Sequence, residues 1–172
     1  MKKKYGNLFK AKSGIRLDLG CGGNKAGGFV GMDQRDIKGV DIVHNVEDIP
    51  YPIPDETCLQ ILANHLFEHI CPRKMIPMMN ELWRIMKVGG QLMIGMPYAG
   101  SSGFWQDPSH CHAWNEATAY YFDPTPANFA AGQVNILYNV YKPLPWKIIQ
   151  NDWVANGNLQ ISFIKRALDE KK

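Results

Sequence analysis

The sequence predicts an α/β domain with a mostly parallel sheet that closes in an antiparallel hairpin. An alternating strand pattern at residues 15–19 ends in glycines, and further strand patterns and one helical pattern follow it. Two strand-like segments near the C-terminus are joined by Asn156-Gly157, which is a strong hairpin signal. A chain of 172 residues is expected to form a single domain, residues 1–172, without room for a second core.

Composition and charge narrow the class of protein. Apolar residues make up 45% and charged residues 20%, which is ordinary for a globular domain. The net charge is only +3, and we interpret the lysines at residues 2–4 as part of a basic tail, residues 1–12, which argues against nucleic acid as a partner. No apolar run suits a membrane span or a secretory signal. Four cysteines without CxxC spacing indicate reduced thiols and a cytoplasmic protein.

The first crossover is unusually short. The strand at residues 15–19 is followed by a second apolar strand at residues 29–33, and only residues 20–28 join them. Parallel neighbours ordinarily need a dozen or more connecting residues. We therefore expect either a compact irregular loop without a helix, or two strands that do not pair.

The remaining elements follow from periodicity and turn signals. Met75, Met79 and Leu82 form an apolar stripe that predicts a core-facing helix, with Pro77 in its first turn and Gly89 at its C-terminal cap. Asn115 is expected to cap a short second helix. The predicted helices are residues 74–87 and 116–122, and the further strands are residues 40–43, 58–63, 91–97, 146–152 and 159–166.

The glycines after the first strand belong to the motif Asp18-Leu19-Gly20-Cys21-Gly22. Glycines of this kind permit a plain tight turn or the close approach of a ligand. A dinucleotide fingerprint would need a third glycine where Lys25 stands, and no phosphate-loop pattern occurs in the chain. The Asp-x-Gly-x-Gly form resembles motif I of the S-adenosylmethionine-dependent methyltransferases with a Rossmann-like fold.

Two later segments carry the same resemblance. Residues 47–52 and 65–69 are similar to the family's acidic, proline-rich loop and its His-x-Leu-Glu-His run, and residues 81–90 match its Glu-x-x-Arg…Gly-Gly segment, with Val88 in place of proline. The resemblance implies the sheet order 3-2-1-4-5-7-6. It also implies methyl transfer from S-adenosylmethionine, with S-adenosylhomocysteine as the product.

The resemblance also assigns the cofactor site. Asp33 ends the second strand, where a carboxylate can accept hydrogen bonds from both ribose hydroxyls. The residues opening the acidic segment are expected to hold the adenine, and those after the fourth strand to lie near the methionine part. The assigned residues are Asp18, Gly20, Cys21, Gly22, Asp33, Asn45, Val46, Glu47, Asn64 and His65.

Acceptor chemistry is expected in the second half of the chain. Residues 13–97 form the predicted cofactor half, residues 98–145 a substrate-side loop and helix, and residues 146–172 the closing hairpin. If the acceptor must lose a proton, His110 is the first candidate base, followed by His65 and Asp107. We expect the acceptor to be an oxygen or nitrogen atom of a small molecule or sugar, bound by a monomer or homodimer.

Three alternatives stay open at this stage. One is a binding protein on the same fold that transfers nothing, and another is a nucleotide-sugar or dinucleotide enzyme on a related sheet. The third is a metal centre, but no spacing matches a known zinc motif, so we predict no metal. Its potential donors are His65, His69, Cys71, His110, Cys111 and His112.

Overall fold

The computed structural model describes residues 5–11, 13–125 and 138–168. Parts of the predicted basic tail, of the substrate-side segment and of the C-terminal end of the closing hairpin segment therefore lie outside the described residues. The strands are β1 (Ile15–Leu19), β2 (Val30–Asp33), β3 (Ile42–Val43), β4 (Cys58–Asn64), β5 (Met86–Pro97), β6 (Trp146–Trp153) and β7 (Asn158–Lys165). The helices include α1 (Pro72–Ile85), α2 (Ser102–Trp105) and α3 (Glu116–Ala119), with 3₁₀ turns at Phe67–His69 and Tyr120–Phe122.

The strands form one seven-stranded sheet in the order β3-β2-β1-β4-β5-β7-β6, which confirms the predicted topology. The first five strands are parallel, and β7 runs antiparallel to both β5 and β6. The turn between β6 and β7 contains Gly157 at φ +87°, a backbone conformation that suits glycine. The predicted closing hairpin is therefore present.

The first crossover is a helix-free loop, and β1 and β2 do pair. The backbone N–H of Ala26 donates to Asp18 Oδ2 at 2.7 Å, which holds the loop against β1. Gly31 of β2 makes room for it, because a Cβ there would lie 2.7 Å from both Cys21 Sγ and Lys25 Cδ. The loop therefore covers one face of the sheet where the family resemblance implied a helix.

Register divides the sheet into two chemically different faces. We call the apolar one the covered face, because α1 and buried aromatic rings pack against it. We call the other one the polar face, because amide, hydroxyl and charged groups predominate on it. Covered-face residues are Leu17, Leu19, Met32, Ile42, Ile61, Ala63, Leu92, Ile94, Met96, Leu159, Ile161 and Phe163. Polar-face residues are Arg16, Asp18, Gln60, Leu62, Asn64, Gln91, Met93, Gly95, Gln150, Gln160, Ser162 and Ile164.

Helix α1 differs from its prediction at both ends. It begins at Pro72, so the first-turn proline is Pro72, and Pro77 lies inside the helix on its exposed side. It also ends at Ile85, before the predicted glycine cap at Gly89. A tertiary contact ends the helix early, because buried Met86 adopts extended geometry and pairs with Cys58 of β4. Sheet pairing has overridden the helical periodicity here.

Part of the predicted basic tail packs onto the domain, because Tyr5, Leu8 and Phe9 lie partly buried against the core. Within the described ranges, the chain has no helix long and apolar enough to cross a bilayer.

Candidate functional site

A cleft of about 450 Å³ opens at the carboxyl ends of the first parallel strands. In open parallel sheets this end is the usual place for a ligand. Gly20, at the end of β1, has φ +69°, and a Cβ there would lie 2.9 Å from Leu66 Cδ1. The positive φ favours glycine here, and a larger residue would also have to displace the Leu66 methyl group. The cleft is lined by Gly20, Asp33, Gln34, Arg35, Asn45, Val46, Glu47, His65, Leu66, His69 and Ile70.

Asp33 supplies a buried carboxylate to this cleft. Its Oδ2 accepts the backbone N–H of Gly22 at 2.9 Å, and its Oδ1 accepts the backbone N–H and Nε of Arg35 at 2.9 and 3.0 Å. Burial alone would raise the pKa of Asp33, but the hydrogen bonds from Arg35 and Gly22 bring that pKa below its ordinary value. The carboxylate is therefore held ionised and ready to accept further hydrogen bonds.

Arg35 is a cleft residue that the sequence reasoning missed. The Arg35 guanidinium forms an ion pair with the Asp33 carboxylate, although the Arg35 side chain is 60% exposed. An exposed arginine just after a strand is common, so the sequence carries no signal for this contact. A ligand hydroxyl that uses Asp33 must share or displace this side chain.

Asp18, Cys21 and Gly22 support the cleft from behind rather than line it. Burial raises the pKa of Asp18, and the hydrogen bond from Ala26 partly offsets that effect. Burial, together with the charges of Asp18 and Asp33, raises the pKa of Cys21 to about 11. These residues fix the glycine loop against β1 and β2.

The segment of residues 45–47 forms the opposite wall. Asn45 Oδ1 accepts the backbone N–H of Glu47 at 3.0 Å, and the carbonyl of buried Val46 accepts the Tyr51 hydroxyl at 2.8 Å. Glu47 Oε1 accepts the backbone N–H of Cys71 at 2.7 Å, just before α1. All three predicted residues therefore meet in the cleft, and their internal hydrogen bonds make the wall rigid.

The two residues predicted after β4 separate. His65 lines the cleft at φ +48°, is 58% exposed, and places Nδ1 3.2 Å from Oε1 of the buried Glu68. Asn64 lies instead in a smaller hollow of about 190 Å³ with Met93, Gly95 and other polar-face residues. Asn64 is the last residue of β4, whereas His65 leaves the strand in a left-handed backbone conformation, which explains why one of two neighbours misses the cleft.

His110 and Asp107 lie beside the cleft, in the loop after β5. The His110 side chain is 7% exposed, and its Nδ1 lies 2.8 Å from the carbonyl of Phe104. Asp107 Oδ1 accepts from the Ser109 backbone N–H and hydroxyl at 2.8 and 2.6 Å. The His110 and His69 rings meet edge to face with centroids 4.7 Å apart. His69 therefore connects this loop to the cleft wall.

The loop is pinned to the 3₁₀ turn at Phe67–His69. The backbone N–H groups of Cys111 and His112 donate to the carbonyl of Glu68 at 2.9 and 3.1 Å. Burial lowers the pKa of His112, whose Nδ1 has no hydrogen-bond partner among the described residues. His112 therefore belongs to the packed aromatic interior with Trp114 rather than to the cleft.

No family model matches the chain, and no curated protein matches it significantly. Solved structures do match it over most of its length. A chain of the complex between the Haloferax volcanii Trm112 methyltransferase activator and a putative methyltransferase aligns with TM-score 0.60 at 14% identity, covering 95% of this chain and 89% of that one. A SAM-dependent methyltransferase from Aquifex aeolicus aligns with TM-score 0.55 at 15% identity, covering 95% and 89%.

A third solved structure contains the cosubstrate. The 16S rRNA (adenine(1408)-N(1))-methyltransferase from Catenulisporales acidiphilia, crystallised with SAM, aligns with TM-score 0.59 at 12% identity, covering 97% of this chain and 92% of that one. This chain has the Rossmann-like methyltransferase fold. The resemblance seen in the sequence is thereby confirmed at the level of fold, down to the strand order.

Proposed function

We propose that the protein is an S-adenosylmethionine-dependent methyltransferase whose cofactor binds in the cleft. The observation that carries this proposal is the buried, ionised Asp33 facing a glycine turn at the carboxyl end of the parallel sheet. A vicinal diol matches the two oxygens of a carboxylate. The cleft's volume, about 450 Å³, falls within the usual range for small-ligand sites.

Each part of the cofactor can be assigned to residues of the cleft. Asp33 would accept from the ribose hydroxyls, and Arg35 would move aside or share the carboxylate. Asn45, Val46 and Glu47 would enclose the adenine. The Gly20 turn, supported by Asp18, Cys21 and Gly22, would leave room for the methionine part. His65 lies at that end of the cleft, whereas the predicted contribution of Asn64 would require a rearrangement of the strand end.

The transfer itself is an in-line displacement. A lone pair of the acceptor forms a bond to the methyl carbon, the carbon–sulfur bond breaks, and its electrons remain on sulfur as S-adenosylhomocysteine. Alignment of the two reactants in a desolvated cleft supplies the main rate enhancement, up to about 7–11 kcal/mol in favourable cases. Any proton on the acceptor passes to a base.

The geometry favours His65 over His110 as that base. His65 is exposed on the cleft wall with its Nδ1 oriented by Glu68. His110 is nearly buried and its Nδ1 faces the Phe104 carbonyl. Asp107 accepts from Ser109 through Oδ1, places Oδ2 3.7 Å from His110 Nε2, and lies beside rather than in the cleft. A His65→Gln variant should therefore lose turnover while retaining cofactor affinity, and unchanged turnover would exclude this role.

For the acceptor we propose a small molecule or sugar that offers an oxygen or nitrogen atom. The low net charge of +3 supports this choice, because a polyanionic acceptor is usually met by a basic surface. The similar structures do include an enzyme whose substrate is 16S rRNA, so RNA is the competing acceptor to be assayed. The free thiols of all four cysteines favour the cytoplasm as its location.

Calorimetric titration with S-adenosylmethionine and S-adenosylhomocysteine tests the cofactor. We expect micromolar binding, about −8 kcal/mol. Asp33→Ala should weaken it on the order of 100-fold, because two hydrogen bonds to a charged group are lost. The matched control Asp152→Ala, on an exposed residue of β6, should leave it unchanged, and Arg35→Ala should bind at least as tightly. Binding that is indifferent to Asp33→Ala would refute this site.

The alternatives give different results in the same experiments. A non-catalytic binding protein would bind the cofactor but form no S-adenosylhomocysteine with any acceptor. A dinucleotide enzyme would bind NAD, yet residues 20–29 contain no helix whose N-terminus could meet a pyrophosphate. The antiparallel β6–β7 hairpin also argues against a dinucleotide sheet.

A further inference from the structure

Two histidines and a buried glutamate meet next to the cleft. Glu68, His69 and His110 each offer a potential ligand atom, and these atoms all lie within 4.8 Å of one another. Glu68 and His69 belong to the 3₁₀ turn after β4, while His110 comes from the loop after β5. Because the donors come from two distant segments, no sequence spacing could reveal the set.

The glutamate is the second and independent sign of a ligand. The Glu68 side chain is fully buried, and its Oε2 has no hydrogen-bond partner among the described residues. Its Oε1 lies 3.2 Å from His65 Nδ1. A buried carboxylate oxygen without a partner is costly, and native structures ordinarily satisfy such groups with a donor, a water or an ion. Here the residue that carries the unsatisfied oxygen is also the carboxylate member of the cluster with the two imidazoles.

Both imidazoles are oriented for ligation. His110 Nδ1 lies 2.8 Å from the Phe104 carbonyl, which can only accept, so this nitrogen carries the proton. Nε2 then keeps its lone pair and lies 3.7 Å from Asp107 Oδ2, beside which an ion bound to Nε2 would be placed. The Ser109 hydroxyl donates to Asp107 Oδ1, so it accepts from His69 Nδ1 at 3.2 Å. His69 Nε2 is then the ring nitrogen left for a ligand. Such outer hydrogen bonds, to a carbonyl or through to a carboxylate, are characteristic of metal-binding histidines.

We propose that Glu68, His69 and His110 form a binding site for a first-row divalent metal ion, with Zn²⁺ the best match to this donor set. Two imidazoles and one carboxylate are a known ligand set for catalytic zinc and for non-haem iron. Three protein ligands leave at least one coordination position for water or a substrate oxygen. His69 lines the cleft, so that position would lie at its edge.

This site has a chemical use that the cofactor cleft lacks. A divalent ion binds an acceptor hydroxyl as a Lewis acid and makes it easier to deprotonate. Under this assignment His110 is a ligand rather than a free base, and Asp107 is a positioning residue that acts through Ser109. The binding of the ion does not depend on methyl transfer, so it can be tested without cofactor or acceptor.

Metal titration of the full chain, stripped with a chelator beforehand, is the direct test. We expect one Zn²⁺ per chain by elemental analysis and calorimetry. His69→Ala and His110→Ala should each weaken binding on the order of 100-fold or more, and Asp107→Asn on the order of tenfold, the scale for an outer partner. The matched control His44→Ala, on a histidine that contacts Asp48 outside the cluster, should bind as the wild type does.

Two further measurements keep the result decisive. His69 is exposed, so His69→Ala is expected to fold even if Glu68→Gln does not, and circular dichroism of each variant checks this. Co²⁺ substitution should give visible d–d bands without a thiolate charge-transfer band. The proposal would be overturned if the wild type bound no metal, or if His69→Ala and His110→Ala bound it as tightly as the wild type. A thiolate band that is lost in Cys71→Ser or Cys111→Ser would also overturn it.

Discussion

The two faces of the sheet differ in composition and in burial, although each strand contributes residues to both. On the covered face, Ile61, Leu92 and Phe163 stand in register across three strands and are fully buried beneath α1 and the aromatic rings. On the polar face, the next row is Leu62, Met93 and Ser162, which lies partly open in a shallow hollow. Apolar burial therefore comes mainly from one side.

This difference between the faces affects how the strand sequences are interpreted. Parallel sheets are usually covered on both faces, and their strands then read as continuous apolar runs. Here β1 alternates apolar and polar residues in IRLDL, and polar residues interrupt the apolar runs of β4 and β5, in CLQILAN and QLMIG. Alternation in a parallel strand thus indicates a sheet with one face left largely to solvent. The short first crossover is part of the same arrangement, since it puts a loop where a helix would stand.

Thiol labelling should show the largest difference between the faces. Cys58 is fully buried at the start of β4, and burial raises its pKa to about 12, whereas Cys71 is exposed. We expect Cys58 to be alkylated at least about 1,000-fold more slowly than Cys71, because it reacts only on global opening. Cys21, in the loop on the polar face, should be intermediate. Mass spectrometry over time measures all three, and equal rates for Cys21 and Cys58 would show that the loop opens only with the whole domain.

One substitution placed on neighbouring residues of β5 tests the faces directly. Ile94→Gln buries an amide on the covered face and should cost about 4 kcal/mol or more of unfolding free energy. Met93→Gln, on the polar face, should cost about 1 kcal/mol or less. Urea unfolding of both variants gives the comparison. Similar losses would mean that the polar face is buried in solution, for example against another chain.

The crossover loop provides a smaller test within the polar face. Gly31→Ala forces a Cβ to within 2.7 Å of Cys21 Sγ and Lys25 Cδ, so we expect a loss of about 1–3 kcal/mol. Gly27→Ala is the control, because a Cβ there meets nothing within 4 Å. Thermal unfolding compares them. If both variants behave alike, the loop does not rest on β2.

The loss of folding stability in acid that is due to Asp41 should be the smallest of these effects. Asp41 accepts from Lys25 Nζ at 2.6 Å and the Gly31 backbone N–H at 2.8 Å, which ties the loop to β2. Burial raises the pKa of Asp41, but these hydrogen bonds lower it further, so the folded value lies below the ordinary 3.8. Its contribution is present above pH 3.8 and is lost as the pH falls through the folded value.

Asp41→Asn should therefore reduce stability near neutral pH by about 1 kcal/mol or less, since the ion pair is partly exposed. It should also flatten the loss of stability below pH 3.8. Unfolding midpoints measured from pH 7 to pH 2 check both parts. A variant as acid-sensitive as the wild type would exclude this carboxylate as a source of the pH dependence.

The hairpin could be predicted from its local turn signal, and the strand order from the family resemblance that the motifs carry. The bounds of α1 could not, because its end is set by the pairing of Met86 with Cys58, a contact between distant residues. In the cleft, Gly20, Asp33 and Asn45 were predicted, since they follow strands whose ends must meet. Arg35 was missed because an exposed arginine after a strand carries no signal for its contact with Asp33. His69 and His110 were named as potential metal donors but no metal was predicted, because the meeting of these two with Glu68 depends on packing between the turn after β4 and the loop after β5.

The helix-free crossover also bears on how the chain folds. Entropy of loop closure rises with the length of chain enclosed, and the pairing of Leu17 with Val30 encloses very little for a parallel contact. The β6–β7 hairpin is local in sequence as well. The pairing of Gln91 with Ile164, in contrast, encloses most of the second half of the chain. Two ends of the sheet can therefore form early and independently. The pairing of β7 with β5 is therefore the contact whose loop closure costs the most entropy among the strand pairs of the second half.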